Sequence, residues 1–426
     1  MNVSELLEEN GYYSFVSMLS GAETLFMFNS KCTKCGETFP YEKVITVCEK
    51  CGGALLFQYD LCRVGNELSK DVLKKRDDTF WKFIEVLPLS SAQSIVSLGE
   101  PYTPVLRLPR DFHASLRNLF VKDDGRLPTG SFKARGMAVA VSSLRERGVR
   151  RVAVPSAGNA ASSLAAYGAL AGMEVFAFMP RDVPELILRE CVCLRAKTYL
   201  VDGLINDCGD IVRRLESKYG WFNISTNKQP YRVEGYKAIA YEIAEQFGWD
   251  PPDTVVFPTG GGEGVIGIWK GFEEMKELGW VEKTPRLVIV QAAGCAPLVK
   301  AFKGNDVEVK APWEKAETVA AGLKVPFPFA SYLVLRAVRE TRGTAIAVDD
   351  DEIMSCMNAF LKRGFYACPE AAATLAGLKR LEEEGTFDAD EKVLLYLTGN
   401  AMKYFDLLNV ERENLPLLRR DAESLD

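Results

Sequence analysis

The chain has 426 residues, 47% of them hydrophobic and 26% charged, with a formal net charge of −6. At roughly 100–200 residues per domain this length implies two or three domains with a sizeable core, and the composition excludes disorder. The acidic balance, with no basic stripe, argues against a nucleic-acid partner, and a single histidine excludes every site that needs two.

The opening residues 1–5 are polar and lack a basic n-region, so no signal peptide is expected. The longest apolar stretch, 164–179, is interrupted by Glu174 and two glycines, which predicts no membrane span. A cytoplasmic protein with reduced thiols follows, and its eleven cysteines then divide by spacing.

Four of them form two CxxC pairs, Cys32/Cys35 and Cys48/Cys51, each followed by a glycine, Gly36 and Gly52. Two thiolates on a tight turn, then a residue free to adopt positive φ, are what a zinc knuckle needs. Residues 27–60 are therefore expected to form a zinc ribbon with short strands at 38–39 and 43–47. Four protein thiolates close the coordination sphere, so this zinc would be structural. The other seven cysteines read as core or boundary residues. His113 sits in a polar connecting segment and reads as a surface-loop residue, which leaves acid–base chemistry to lysine, carboxylate or a cofactor.

From about residue 87 short apolar runs alternate with helical periods. Buried strands are expected at 152–155, 175–179, 198–202, 254–257, 287–290 and 393–397, and helices at 164–171, 211–219, 238–247, 265–278 and 353–363. Alternation of this kind implies an α/β fold with a mostly parallel sheet, whose ligands bind where strands end and helices begin. The acidic run 349–352 reads as a helix N-cap rather than a metal site. The charged stretch 411–426 reads as a helix or tail.

Three strand-to-helix turns carry chemistry. Gly260-Gly261-Gly262-Glu263-Gly264 follows a strand and opens a helix, so taken alone it reads as a cup for a phosphate or as a simple turn. Ser131-Phe132-Lys133-Ala134-Arg135-Gly136 sets a lysine among small and apolar residues. Burial and the neighbouring Arg135 cation would lower its pKa and favour the neutral amine that a Schiff base requires. Ser156-Ala157-Gly158-Asn159-Ala160 could bind a carboxylate through its amides, or be a turn capped by serine.

In this order and spacing the three segments resemble the fold-type II pyridoxal-phosphate enzymes, and among them the threonine synthase family. The segments 99–104, 121–124 and 230–237 are similar to that family too, and an N-terminal four-cysteine element occurs in some of its members. The resemblance spans roughly residues 27–410. It implies two open α/β units of the tryptophan synthase β type with pyridoxal phosphate in the cleft between them. The larger unit would comprise 85–136 and 226–415, the smaller 137–225. Lys133 would carry the cofactor and act as base at the substrate Cα. Phe132 and Asn159 would contact the cofactor, Asn159 at its ring oxygen. Gly260, Gly261, Gly262, Glu263 and Gly264 would hold its phosphate, and Thr398 would face the pyridine nitrogen, keeping it largely unprotonated. Ser156, Ala157, Gly158 and Ala160 would bind an amino-acid carboxylate. Thr226, Asn227 and Arg232 would lie near a substrate phosphate.

The activity implied is that of a lyase converting O-phosphohomoserine and water to threonine and phosphate, in a homodimer. The alternatives are β-replacement or elimination on phosphoserine, O-acetylserine, serine or threonine, or a catalytically silent binding protein on the same scaffold. One residue departs from the family's cup. Glu263 puts a carboxylate there, and it is expected to point outward, where it would help cap the helix.

Overall fold

A computed structural model of the chain describes residues 26–112, 115–408, 417 and 420. His113, the opening residues 1–5 and nearly all of 411–426 lie outside the described residues.

The N-terminal element is a three-stranded antiparallel sheet of β1 (Met27–Cys32), β2 (Thr38–Pro40) and β3 (Leu55–Tyr59), in the order β2-β1-β3. The expected strand at 43–47 is absent; β3 takes its place beside β1. The hydrophobic alternation Leu55-Leu56-Phe57-Gln58-Tyr59 explains why, because it buries every second side chain while 43–47 buries only Ile45.

The chain then builds β4 (Val105–Arg107) and β5 (Asn118–Asp123) before entering a second sheet of β6 (Arg151–Pro155), β7 (Glu174–Pro180), β8 (Lys197–Val201) and β9 (Phe222–Asn223). It returns with β10 (Thr254–Pro258), β11 (Arg286–Ala292), β12 (Thr344–Val348) and β13 (Lys392–Leu397). The larger sheet runs β12-β11-β10-β13-β5-β4, parallel except for β4, and the smaller runs β8-β7-β6-β9, all parallel. Helices connect the parallel strands, and β10 is buried throughout, as a sheet covered on both faces requires.

Three details depart from the sequence reading. The run at 198–202 forms a strand, but an edge strand with Tyr199 and Leu200 about half exposed. No strand was expected at Thr344–Val348, which forms β12 by parallel pairing with β11. Cys62 and Cys193 lie at the surface rather than in the core.

The helix Lys133–Glu146 runs without a break across the boundary expected at 136. The acidic run caps a helix as expected. Asp349 is its N-cap, and Glu352 closes the capping box by accepting from the Asp349 N–H at 2.7 Å. Asp350 accepts from the Thr318 hydroxyl at 2.6 Å. No helix among the described residues is long and apolar enough to cross a membrane.

Candidate active site

A cleft of about 610 Å³ opens at the C-terminal ends of the strands. It collects Phe132 and Lys133, Ser156–Ala160, Thr226, Gly260–Gly264 and Thr398. These residues are far apart in sequence. They meet because each follows a parallel strand, and parallel strands deliver their C-terminal loops to one edge.

The cup is made of glycine for steric reasons. A Cβ on Gly260 would lie 2.3 Å from the Gly322 carbonyl oxygen, and one on Gly262, whose φ is +79°, would lie 2.2 Å from Val334. The helix Glu263–Glu277 begins there with no side chain capping its first N–H groups. Those groups and the helix dipole suit an anion.

Lys133 opens onto the cleft, with its amine 4.1 Å from the centre of the Phe132 ring and 5.6 Å from that of Tyr236. Burial pulls its pKa down to about 7, and the Arg232 cation pulls the same way. The neighbouring cation is thus Arg232 and not, as expected, Arg135. Arg135 is neutralised: its Nε lies 2.7 Å from Asp124 and its Nη1 2.5 Å from Glu242, all fully buried. Lys122 joins Glu242 at 2.8 Å, so the layer under the reactive helix is saturated with ion pairs.

Glu263 corrects the expectation of an outward carboxylate. It is 2% exposed and turned toward the loop 226–232. Its Oε1 accepts from the Asn227 N–H at 2.9 Å and from Gln229 at 3.1 Å, and its Oε2 lies 2.7 Å from an Arg232 nitrogen. A buried charge must be paired, and Arg232 is the cation within reach. The substrate assignment changes as a result. Arg232 is fully buried, also donates to the Ile224 carbonyl at 2.9 Å, and does not line the cleft. Asn227 also misses the cleft wall, and its side-chain amide donates to the Gly261 carbonyl at 2.8 Å. Of the three residues expected near a substrate phosphate, only Thr226 faces the cleft.

Sequence reasoning missed Lys228, which does face it. Its amine sits 5.3 Å from the centre of the Phe329 ring, and burial lowers its pKa. No motif marked it; its place on the cleft wall with Gly261 and Thr226 comes from the loop's turn. Ser156 is placed at the cleft, yet its hydroxyl is used locally. It donates to the Gly158 carbonyl at 2.9 Å and accepts from the Gly158 and Ala161 N–H groups at 3.0 and 3.1 Å. The serine-cap reading therefore holds for its side chain, whose hydroxyl is taken up within the turn. Asn159 keeps a buried Oδ1 without a partner.

The four cysteines Cys32, Cys35, Cys48 and Cys51 converge with all sulfurs within 4.8 Å of one another. The Cys32–Cys51 and Cys35–Cys48 separations are 3.4 and 3.6 Å. Tetrahedral zinc with bonds of about 2.3 Å would set its sulfurs about 3.8 Å apart, so the cluster can hold such a metal. Gly36 and Gly52 take φ of +76° and +71° at the two turns, as the spacing predicted. The knuckle docks against Tyr332, whose hydroxyl meets Thr33 at 2.5 Å and accepts from the Ala54 N–H at 3.2 Å.

A glycine turn at a helix N-terminus, a buried lysine with a lowered pKa and an orphaned amide at the strand ends of the two sheets suit an aldehyde cofactor bearing a phosphate. The residues fit pyridoxal phosphate: the cup leaves room only for backbone, the lysine amine is unpaired, and Asn159 lacks a partner. Comparison with known proteins agrees. Residues 96–399 match the family model described as pyridoxal-phosphate dependent enzyme. The chain is 36% identical over 376 residues to a threonine synthase of Methanocaldococcus jannaschii, covering 88% of this chain and 92% of that one. It is 35% identical to a threonine synthase of Methanosarcina acetivorans, with the same coverage of 88% and 92%. A diaminopropionate ammonia lyase of Escherichia coli shares the fold with a TM-score of 0.63 at 19% identity, over 74% of this chain and 89% of that one. The chain belongs to the pyridoxal-phosphate dependent enzymes, in the threonine synthase family.

Proposed function

We propose that this enzyme is a threonine synthase, releasing phosphate from O-phosphohomoserine and adding water to give threonine. The observation that carries the reading is the pairing of a near-neutral Lys133 with a cleft that holds a glycine cup and a separate cation, Lys228. Bound pyridoxal phosphate supplies the electron sink that acidifies the hydrogens on the substrate's Cα and Cβ. The chain's residues do the rest. Lys133 attaches the cofactor and, as a neutral amine, takes the Cα proton and returns it. Asn159 holds the ring oxygen, the amides of 156–160 hold the substrate carboxylate, and Gly260–Gly264 hold the cofactor phosphate. Thr398 lies at the ring end, 3.8 Å from the Cys368 thiol. Lys228 and Thr226, rather than Arg232, meet the leaving phosphate.

We read the four-cysteine knuckle as a structural zinc site. It binds away from the cleft and braces Tyr332 at the head of the helix Ser331–Glu340. The units 85–136 with 226–415, and 137–225, are the two halves that close on the cofactor. All eleven cysteines are unbridged, which suits the cytoplasm. A homodimer is the assembly proposed, to be tested by sedimentation velocity.

The deciding experiment incubates the protein in turn with O-phosphohomoserine, phosphoserine, O-acetylserine and threonine, scoring phosphate and new amino acids. Threonine and phosphate in equal amounts from the first alone support the reading. Turnover of phosphoserine or O-acetylserine instead assigns a replacement enzyme. A protein that stays colourless with added pyridoxal phosphate sinks both.

A further inference from the structure

Lys403 is 4% exposed and does not line the cleft. It stands in the 3₁₀ helix Ala401–Leu407, on the segment that follows Thr398. Its ammonium finds three acceptors on three separate elements. Nζ donates to the Thr129 carbonyl at 2.9 Å, to the Ser162 hydroxyl at 3.2 Å and to Glu190 Oε2 at 2.7 Å. An ammonium has three hydrogens to donate, so this one is satisfied in full. A buried cation needs a carboxylate to offset it, and Glu190 meets that need. Charge balance does not account for where the other two bonds go.

Thr129 opens the turn that leads into Lys133, and the Lys403 stem packs on that turn. A Cβ on Gly130, whose φ is +65°, would lie 3.1 Å from its Cδ. Ser162 stands in the first turn of the helix Asn159–Leu170, and its hydroxyl donates to the Asn159 carbonyl at 3.4 Å. The Thr129 and Ser163 hydroxyls, 2.8 Å apart, join the same two elements again. The segment that carries Lys403 is itself tied to the lysine turn. The Phe132 N–H donates to the Thr398 carbonyl and the Asn400 N–H to the Gly130 carbonyl, each at 2.9 Å. Both of these turns follow strands of the larger sheet, whereas Ser162 and Glu190 lie on helices that connect strands of the smaller one. Lys403 thus carries the tie from one sheet's turns to the other sheet's helices.

We propose that Lys403 is a positioning residue for the cofactor, setting the spacing between Asn159 on one side of the cleft and Lys133 on the other. A ligand gripped from two sides binds well when the two grips are already spaced to fit it, because less order has to be imposed on binding. Lys403 touches neither cofactor nor substrate. It acts through Ser162 on the helix that starts at Asn159, and through Thr129 on the turn that ends at Lys133. The inference rests on the placement of Lys133 and Asn159 at pyridoxal phosphate proposed above, but not on the identity of the substrate.

The test measures the dissociation constant of pyridoxal phosphate for the full chain, with no substrate, in a double-mutant cycle of Lys403→Met and Asn159→Ala. Each single change should weaken binding about tenfold, the worth of one hydrogen bond. The double variant should bind no more weakly than the weaker single one, because a missing amide cannot also be misplaced. Losses that multiply overturn the inference, since Lys403 then acts apart from Asn159, and so does an unchanged constant in Lys403→Met. If Lys403→Met does not fold, Ser162→Ala takes its place in the cycle, with a loss of about threefold and the same lack of additivity. An Asn159→Ala variant that binds cofactor like wild type removes Asn159 from the cofactor site and overturns the inference with it. Because substrate is absent, a failure of O-phosphohomoserine turnover leaves this readout unaffected.

Discussion

Lys133 and Arg135 stand two residues apart on one helix and meet opposite fates. Arg135 points into the layer beneath, where Asp124 and Glu242 saturate it, and Lys122 and Tyr396 complete the cluster. Lys133 points into the cleft, with two aromatic rings beside it and no acid in contact. The difference shows how a protein separates holding from reacting. A cation given two carboxylates is fixed in charge and position. A cation buried without one becomes a neutral amine close to working pH, and so a nucleophile and base.

The strongest way to break that contrast is to remove the reactive member. Lys133→Ala should lower kcat by about 10³-fold or more, since attachment and proton transfer are both lost. The same variant should lose the visible cofactor band while its circular dichroism stays native.

Removing the holding member should act on folding instead. Arg135→Met leaves the fully buried Asp124 without a cation and Glu242 with Lys122 alone, and should cost about 3–5 kcal/mol in denaturant unfolding. A loss of activity per folded molecule, with no loss of stability, would put Arg135 among the reacting groups. The knuckle belongs with Arg135. Cys32→Ser, or zinc chelation, should lower Tm by several degrees and leave the cofactor spectrum intact. Metal analysis finding no zinc in the purified protein would remove this expectation.

The contrast also has a pH signature. The Lys133 amine binds its proton at about 7 in the folded apoprotein and at 10.5 when unfolded. Below pH 7 both states carry the proton, and the burial penalty is fully present. Between 7 and 10.5 the unfolded chain holds a proton that the folded one has lost, so apoprotein stability rises with pH across that window. Lys133→Met should therefore raise the apoprotein Tm most near pH 6, with the gain shrinking as the pH approaches the unfolded value. The smallest effect is expected from Glu263→Gln. Glu263 supports the charged form of Lys133 and Arg232 opposes it, so this change should move the amine's labelling midpoint below 7. A midpoint that rises would show that the carboxylate does not act on the lysine.

Much of this is legible in the order of the residues. The two CxxC-Gly turns, the glycine run after a strand, and a lysine among small residues each report a local need: positive φ, close backbone approach, or burial of an amine. Such needs are met within a few residues, so the four-cysteine knuckle, the glycine turn and the buried lysine can be located from the chain alone, and the α/β class follows from its alternating periods. Partner choice is different in kind. Glu263 pairs with Arg232 off the cleft wall, and Lys228 is left facing it. Each outcome depends on side chains brought together from loops distant in the chain. Buried charges choose partners by distance and desolvation, quantities that no local pattern encodes. Residue order thus specifies which chemistry the protein carries, because each motif meets its own requirement. Which charges hold the site and which remain to act in it is settled by folding, because only packing brings the competing partners within reach.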